Sequence, residues 1–184
     1  MLKLNLPLCL ILIFSSFISG SIPRMLKFGG IKAFIGRQLL IKAKYNSYVE
    51  GYKVINGVKK PISTYIIYFN ATPIGYIQYY NVYDFPRDDN VTLEGLPTNL
   101  AAIDLYIGEA DFVGQGLGPL LIDQFLIHYV WKYFSACFVD VNASNTQARR
   151  AYEKAGFKLI KAVANGKAIW MLRNKNEKGE TCIE

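Results

Sequence analysis

Residues 100–107 read "LAAIDLYI", residues 111–118 read "DFVGQGLG", and "PLLIDQFLIHYVWKYF" follows directly to residue 134. An apolar strand, a loop with glycines at alternate positions (Gly114, Gly116, Gly118) and a long apolar helix therefore stand in immediate succession. This order demands a helix laid back against a sheet, so it narrows the fold to one with mixed α and β layers. Glycine costs conformational entropy on ordering, so three of them at a helix start imply close approach to the backbone. A helix start also leaves its first N–H groups unpaired and carries the positive end of the helix dipole, which together suit an anion. No Gly-Lys-Ser/Thr follows, which excludes a Walker loop, and the spacing is not that of a dinucleotide fingerprint. Alone, the glycines fit either a phosphate cradle or a tight strand-to-helix turn.

The flanking sequence supplies the remaining elements. Mixed helical spacing over 39–53 predicts a helix, and "STYIIYFN" (63–70) predicts a strand rich in β-branched and aromatic residues. A turn at 70–73 leads into a returning strand at 74–82, and the Pro- and Gly-containing stretch 83–99 reads as a loop. "ACFVDV" (136–141) is a strand apolar enough to be buried on both faces. In "NASNTQARRAYEKAGF" a second helix starts at Ser144 or Asn145 as N-cap and stops at Gly156. Strands at 158–163 and 168–173 flank Asn165-Gly166, a hairpin signal. The order α-β-β-β-α-β-α-β-β has no internal repeat and predicts one α/β domain over 39–173, with a polar tail at 174–184.

Composition restricts function. The chain has 184 residues and 52% apolar content, enough for a packed core. Its net charge is +7, yet seven of its fourteen acidic residues lie within 84–111, against the single basic Arg87. An anion site and a separate cation site are one explanation, and a solubilised loop is the other. No nucleic-acid recognition motif accompanies the basic charge, so nucleic acid is not an expected partner. Cys9, Cys137 and Cys182 are odd in number and lack ligand spacing, which favours a reducing compartment and no metal. The single His128 sits in the apolar helical run and reads as structural.

Residues 1–38 are atypical. Lys3, an apolar stretch at 6–14 and the small residues Ser19, Gly20 and Ser21 outline a secretory signal, while the serines and short length speak against a membrane partner. Suitable third bases under "FGGIKAFIG" (28–36) would alternatively spell Trp-Trp-Asn-Gln-Ser-Phe-His-Trp in a shifted frame. A cytoplasmic location is expected, with export the minority reading.

"VDVNASNTQARRAYEKAGF", spaced as it is from "GQGLG", resembles the second signature of the GCN5-related N-acetyltransferases (GNAT). More narrowly, "PIGYIQYY", "AAIDLYIGEADFVGQGLGPLLI" and "NASNTQARRAYEKAGF" are similar to the aminoglycoside 6'-N-acetyltransferases, from about residue 40 to residue 173. The resemblance implies a GNAT-type α/β (α+β) fold, a mixed and mostly antiparallel sheet flanked by helices. It also implies acetyl-coenzyme A as co-substrate, no metal, and a small cationic amine, an aminoglycoside, as acceptor. Two features depart from the pattern. Val113 stands where the family places Gln or Arg, and the tryptophan pair expected before residue 39 is missing, though the shifted frame would restore it.

Transfer of an acetyl group to an amine needs a cofactor cradle, a carboxylate for the ammonium and a proton for the sulfur. The resemblance assigns the cradle to Val113, Gly114, Gln115, Gly116, Leu117 and Gly118, with Asn145 and Arg149 assisting. It assigns the amine to Asp104 and a further ammonium to Asp140, while Glu109 and Asp111 belong to the acidic stretch that attracts such a substrate. Tyr152 matches the tyrosine near the thioester sulfur, where a protonated phenol can donate to the departing thiolate. Strand alternation puts Asp104 on one face with Ala102 and Tyr106, where a carboxylate among apolar neighbours requires a partner. A polyamine or protein amine as acceptor, and a non-catalytic remnant that still binds acetyl-coenzyme A, stay open as alternatives.

Overall fold

The computed structural model describes residues 11–12, 51–69, 72–86 and 92–176. The atypical 1–38 segment, nearly all of the expected 39–53 helix and the far end of the tail lie outside these residues, apart from a two-residue strand. Two compact units form, one from 1–78 with 105–113, the other from 79–104 with 114–184. The strands Thr72–Asn81 (β5) and Leu100–Ile107 (β6) contribute residues to both.

In the first unit, Ile11–Leu12 (β1) pairs antiparallel with Ser63–Phe69 (β4), with Ile11 opposite Ile67. Tyr52–Ile55 (β2) and Val58–Pro61 (β3) make a separate antiparallel hairpin. Its turn is Asn56-Gly57, with φ of 49° and 78°, the pair of positive values that a two-residue hairpin of matching twist requires. The expected helix therefore does not reach Lys53. A turn that pairs Tyr52 with Pro61 and Val54 with Lys59 outweighs helical spacing at this point. Elsewhere in this unit, a Cβ on Gly75 would collide with the carbonyl oxygen of Tyr106, so only glycine fits there.

In the second unit the strand order is β5-β6-β7-β9-β8, with Ala136–Asn142 (β7), Lys158–Val163 (β8) and Ala168–Asn174 (β9). β6 and β7 are parallel, paired from Leu100↔Ala136 to Ala102↔Phe138, while β9 is antiparallel to both β7 and β8. The sheet is thus mixed and mostly antiparallel. Leu117–Phe125 (α1) lies in the crossover between β6 and β7, and Thr146–Lys154 (α2) links β7 to β8. α1 continues into a wider π turn at Leu126–Val130, closed by Trp131 N–H on Leu126 O at 2.9 Å. The backbone there ends its helical run before Phe134, and Lys175 Nζ donates to Trp131 O at 2.7 Å.

Alternation along β7 and β9 divides the core. Ala136, Phe138 and Trp170 join Val82, Leu100, Ala102 and Val163 in one buried cluster. Cys137, Met171 and Arg173 point the other way, toward the helices, where Leu121, Ile122, Phe125, Leu126 and Val130 are buried.

Candidate active site

The three glycines of the 111–118 stretch do two different jobs. Gly114 and Gly116 have φ of 80° and 76°, values that L side chains resist, and Gly116 is the N-cap of α1. A Cβ at Gly116 would meet nothing within 4 Å, so the backbone there is open to approach. No side chain caps this helix, which leaves the amides of Leu117 and Gly118 without a helical partner. Pro119 has no N–H to leave unpaired in that first turn. Gly118 is different: its Cβ would lie 3.3 Å from Ala151 Cβ on α2, so this glycine sets the distance between two helices. The sequence reading placed it in the cradle and missed that packing role. Val113 and Gln115 are exposed, and Leu117 is half-buried.

At the start of α2, Asn145 is the N-cap, its Oδ1 accepting from Ala148 N at 3.0 Å. The acceptor must be the oxygen, so the side-chain NH2 group takes no part in the cap. Ser144 instead donates to Asn142 Oδ1 through its N–H at 2.9 Å and its hydroxyl at 2.7 Å. One turn into the helix, the Arg149 guanidinium stands 3.8 Å from Glu153, and its buried Nε has no hydrogen-bond partner. A buried N–H without a partner is costly, and an anionic ligand would satisfy it. The open backbone at Gly116 and this N–H both fit phosphate oxygens.

Tyr152 ends up buried, its ring edge-on to Phe157 at 5.3 Å. Burial first, and then the nearby charge of Asp104, hold its phenol above the ordinary range. Cys137 lies within the same electrostatic neighbourhood, and burial pushes its thiol up as well.

Asp104 is half-buried on β6 and Asp140 is exposed on β7. Each stands two residues beyond the last paired residues, Ala102 and Phe138, on the same strand face. Both line a cleft of about 220 Å³ whose other walls include Tyr80, Val82, Phe85, Pro86 and Phe138. Tyr80 and Phe85 meet edge-on at 4.7 Å, and Phe138 packs on Trp170 at 5.1 Å. Two carboxylates between aromatic walls can hold a small molecule that carries ammonium groups on rings whose C–H faces pack against aromatic side chains. Glu109 and Asp111 do not line this cleft; they belong to the other unit, flanking and within the turn Ala110–Phe112, with Asp111 exposed.

Sequence reasoning missed Tyr80, Phe85 and Pro86. An apolar Phe85-Pro86 pair inside an otherwise acidic loop was the available signal. His128 is exposed and meets Gln124 Oε1 at 3.2 Å, away from the cleft residues. Among the described residues, no group of three or more His, Cys, Asp or Glu could hold a metal ion, and no helix is long and apolar enough to cross a membrane.

Comparison with known proteins bears on this arrangement. Residues 44–165, more than half of the chain, match the family model described as an acetyltransferase (GNAT) domain. The aminoglycoside N(6')-acetyltransferase type 1 of Klebsiella pneumoniae is 29% identical over 121 residues, covering 64% of this chain and 59% of the relative. The enzyme of that name from Serratia marcescens gives the same figures. The match thus spans less than two thirds of the length of these curated relatives. Aminoglycoside acetyltransferase AAC(6')-Ib, solved in complex with coenzyme A and kanamycin, is 30% identical. It covers 62% of this chain and 67% of its own, with a TM-score of 0.54. The structure of AAC(6')-Ib with paromomycin and acetyl-CoA superposes over 84% of this chain and 82% of its own, at a TM-score of 0.61 and 24% identity, a likeness of fold.

Proposed function

The chain belongs to the acetyltransferase (GNAT) family, and we propose that it moves an acetyl group from acetyl-coenzyme A to an amine of an aminoglycoside, the 6'-amine by resemblance. The observation that carries this reading is the cleft in which Asp104 and Asp140 face one space between Tyr80, Phe85 and Phe138. Two carboxylates facing one space attract a cationic acceptor and repel an anionic one. The relatives named for aminoglycoside acetylation support the same acceptor.

In this mechanism Asp104 binds the ammonium, accepts its proton and leaves a neutral amine nucleophile. The nitrogen–carbon bond forms as the carbon–sulfur bond breaks, the sulfur departs with the electron pair, and the second proton lost by the nitrogen passes to that sulfur. Tyr152 donates its O–H to that sulfur. Full loss of the phenol proton would create a phenolate beside Asp104, which burial and that carboxylate both oppose. Hydrogen-bond donation requires no such charge, so the assigned role is to stabilise the thiolate rather than to protonate it fully. The open amides after Gly116, the Arg149 Nε and the Asn145 side-chain amide hold the phosphates of the co-substrate. Asp140 holds a second ammonium and thereby fixes which amine reaches Asp104.

Coenzyme A release by the purified full chain, with acetyl-coenzyme A and kanamycin, spermidine or a lysine peptide, tests the proposal. Release with kanamycin alone is the expected result. Release only with spermidine or the peptide would replace the acceptor, and binding of acetyl-coenzyme A without release to any amine would refute catalysis.

A further inference from the structure

We propose that Arg173, held by Asp123, is a positioning residue for Tyr152. Arg173 lies on β9 and is 4% exposed. One terminal nitrogen of its guanidinium, Nη1, sits 2.8 Å from Asp123 Oδ1 on α1 and donates to Ala155 O at 2.7 Å. Ala155 is the C-cap of α2. The same closing turn contains Gly156, at φ of 82°, whose N–H bonds Glu153 O at 2.9 Å, and Phe157, whose N–H bonds Tyr152 O at 3.0 Å. Arg173 therefore fastens a carbonyl of the turn that also fixes the backbone of Tyr152 and the Phe157 ring against it.

Stability alone does not account for this pair. Removing a carboxylate and a guanidinium from water costs several kcal/mol per ion by general estimates, and apolar residues of like volume often serve as well. What apolar residues would not supply is a donor that spans α1, β9 and the end of α2 at once. The ion pair thus holds the end of α2 in place, and with it the phenol.

This inference rests on Tyr152 acting in acetyl transfer, and its test has a readout that does not. The double substitution Asp123→Leu/Arg173→Met removes both charges together and leaves neither buried alone. With folding intact by circular dichroism, kcat for the acceptor falls about ten- to a hundredfold, as for a reacting group displaced by a fraction of an ångström to an ångström. KM for acetyl-coenzyme A stays within about twofold, because the cradle residues are elsewhere. In a Tyr152→Phe background the same double substitution has little further effect on kcat, since the clamp acts through the phenol. Arg173→Lys, which keeps one cationic donor, restores part of the rate. Independently of turnover, labelling tyrosine at Cζ with carbon-13 gives a resonance for Tyr152, identified by its loss in Tyr152→Phe. That resonance shifts in the double variant while those of exposed tyrosines do not.

A folded double variant with unchanged kcat, additive losses in the Tyr152→Phe background, or an unmoved Tyr152 resonance would each overturn the proposal. If the parent chain acetylates no amine, the proposed function fails, and the Tyr152 resonance alone decides this one. Should the double variant not fold, Asp123→Asn, which keeps an oxygen for Arg173, takes its place with the same readouts.

Discussion

Gly118 and Ala151 bring α1 and α2 into close approach: a Cβ on the glycine would lie 3.3 Å from the alanine Cβ. Gly116, two residues earlier, faces open space but holds φ at 76°. The two glycines therefore fail in different ways. Gly118→Leu separates the helices and destabilises the fold by about 1–3 kcal/mol, the range for overpacking, with a smaller effect for Gly118→Ala. Ala151→Gly relieves Gly118→Ala but does nothing for Gly116→Ala, whose backbone strain costs roughly 1–2 kcal/mol. Urea unfolding of the single variants and of the two double variants with Ala151→Gly separates these outcomes. Equal rescue by Ala151→Gly would contradict the packing role.

Asp104→Asn removes the proposed proton acceptor while keeping the side-chain volume. Turnover falls by about a hundredfold or more, in the range for a lost general base, and acetyl-coenzyme A binding by calorimetry is unchanged. Asp140→Asn mainly raises KM for the aminoglycoside. If Asp104→Asn turned over at the parental rate, the proton would have to leave by another route.

The Asn145 side chain puts its cap and its proposed co-substrate contact on different atoms, because its oxygen caps α2 and its amide does not. Asn145→Ala loses the cap, about 1 kcal/mol, together with co-substrate affinity. Asn145→Asp keeps an acceptor for Ala148 N–H and so keeps the melting temperature, but binds acetyl-coenzyme A more weakly. Calorimetry beside thermal denaturation distinguishes the two. Undiminished affinity in both variants would confine Asn145 to capping.

Tyr152 gives the protein an alkaline limit. Its phenol is raised above the ordinary 10.0 by burial and by Asp104, so the unfolded chain loses this proton first as the pH climbs. The contribution to stability is complete below the unfolded value and is lost as pH rises beyond it. Cys137, raised chiefly by burial, acts in the same direction from its ordinary value of 9.0 upward. Melting temperature accordingly falls above these values, and less steeply in Tyr152→Phe and Cys137→Ala. Below pH 8 Tyr152→Phe melts like the parent, yet kcat drops by about a hundred- to a thousandfold, the range for one lost stabilising donor. A parallel fall in all three proteins above pH 10 would show that other groups set the limit.

Where local pattern decides structure, the sequence was readable. The strands at 100–107 and 158–163 lie where alternation and apolar runs predict them. Asn165-Gly166 lies between strands that pair antiparallel, and Gly156 ends α2 with positive φ. The Asn56-Gly57 hairpin carried an equally local signal, but helical spacing before it obscured that signal. Family resemblance extended the reading to Asp104, Asp140 and Tyr152 as candidates.

By itself, then, the sequence determined the mixed α/β fold, the turn glycines and the helix start that suits an anion. Backbone preferences and side-chain periodicity act over a few residues and are written in order along the chain. Only the tertiary structure decided that Gly118 spaces two helices, that Phe85 and Tyr80 wall the cleft of Asp104 and Asp140, and that Arg173 joins Asp123 to Ala155. Those arrangements depend on distances between residues remote in sequence, which strand register and helix packing fix together.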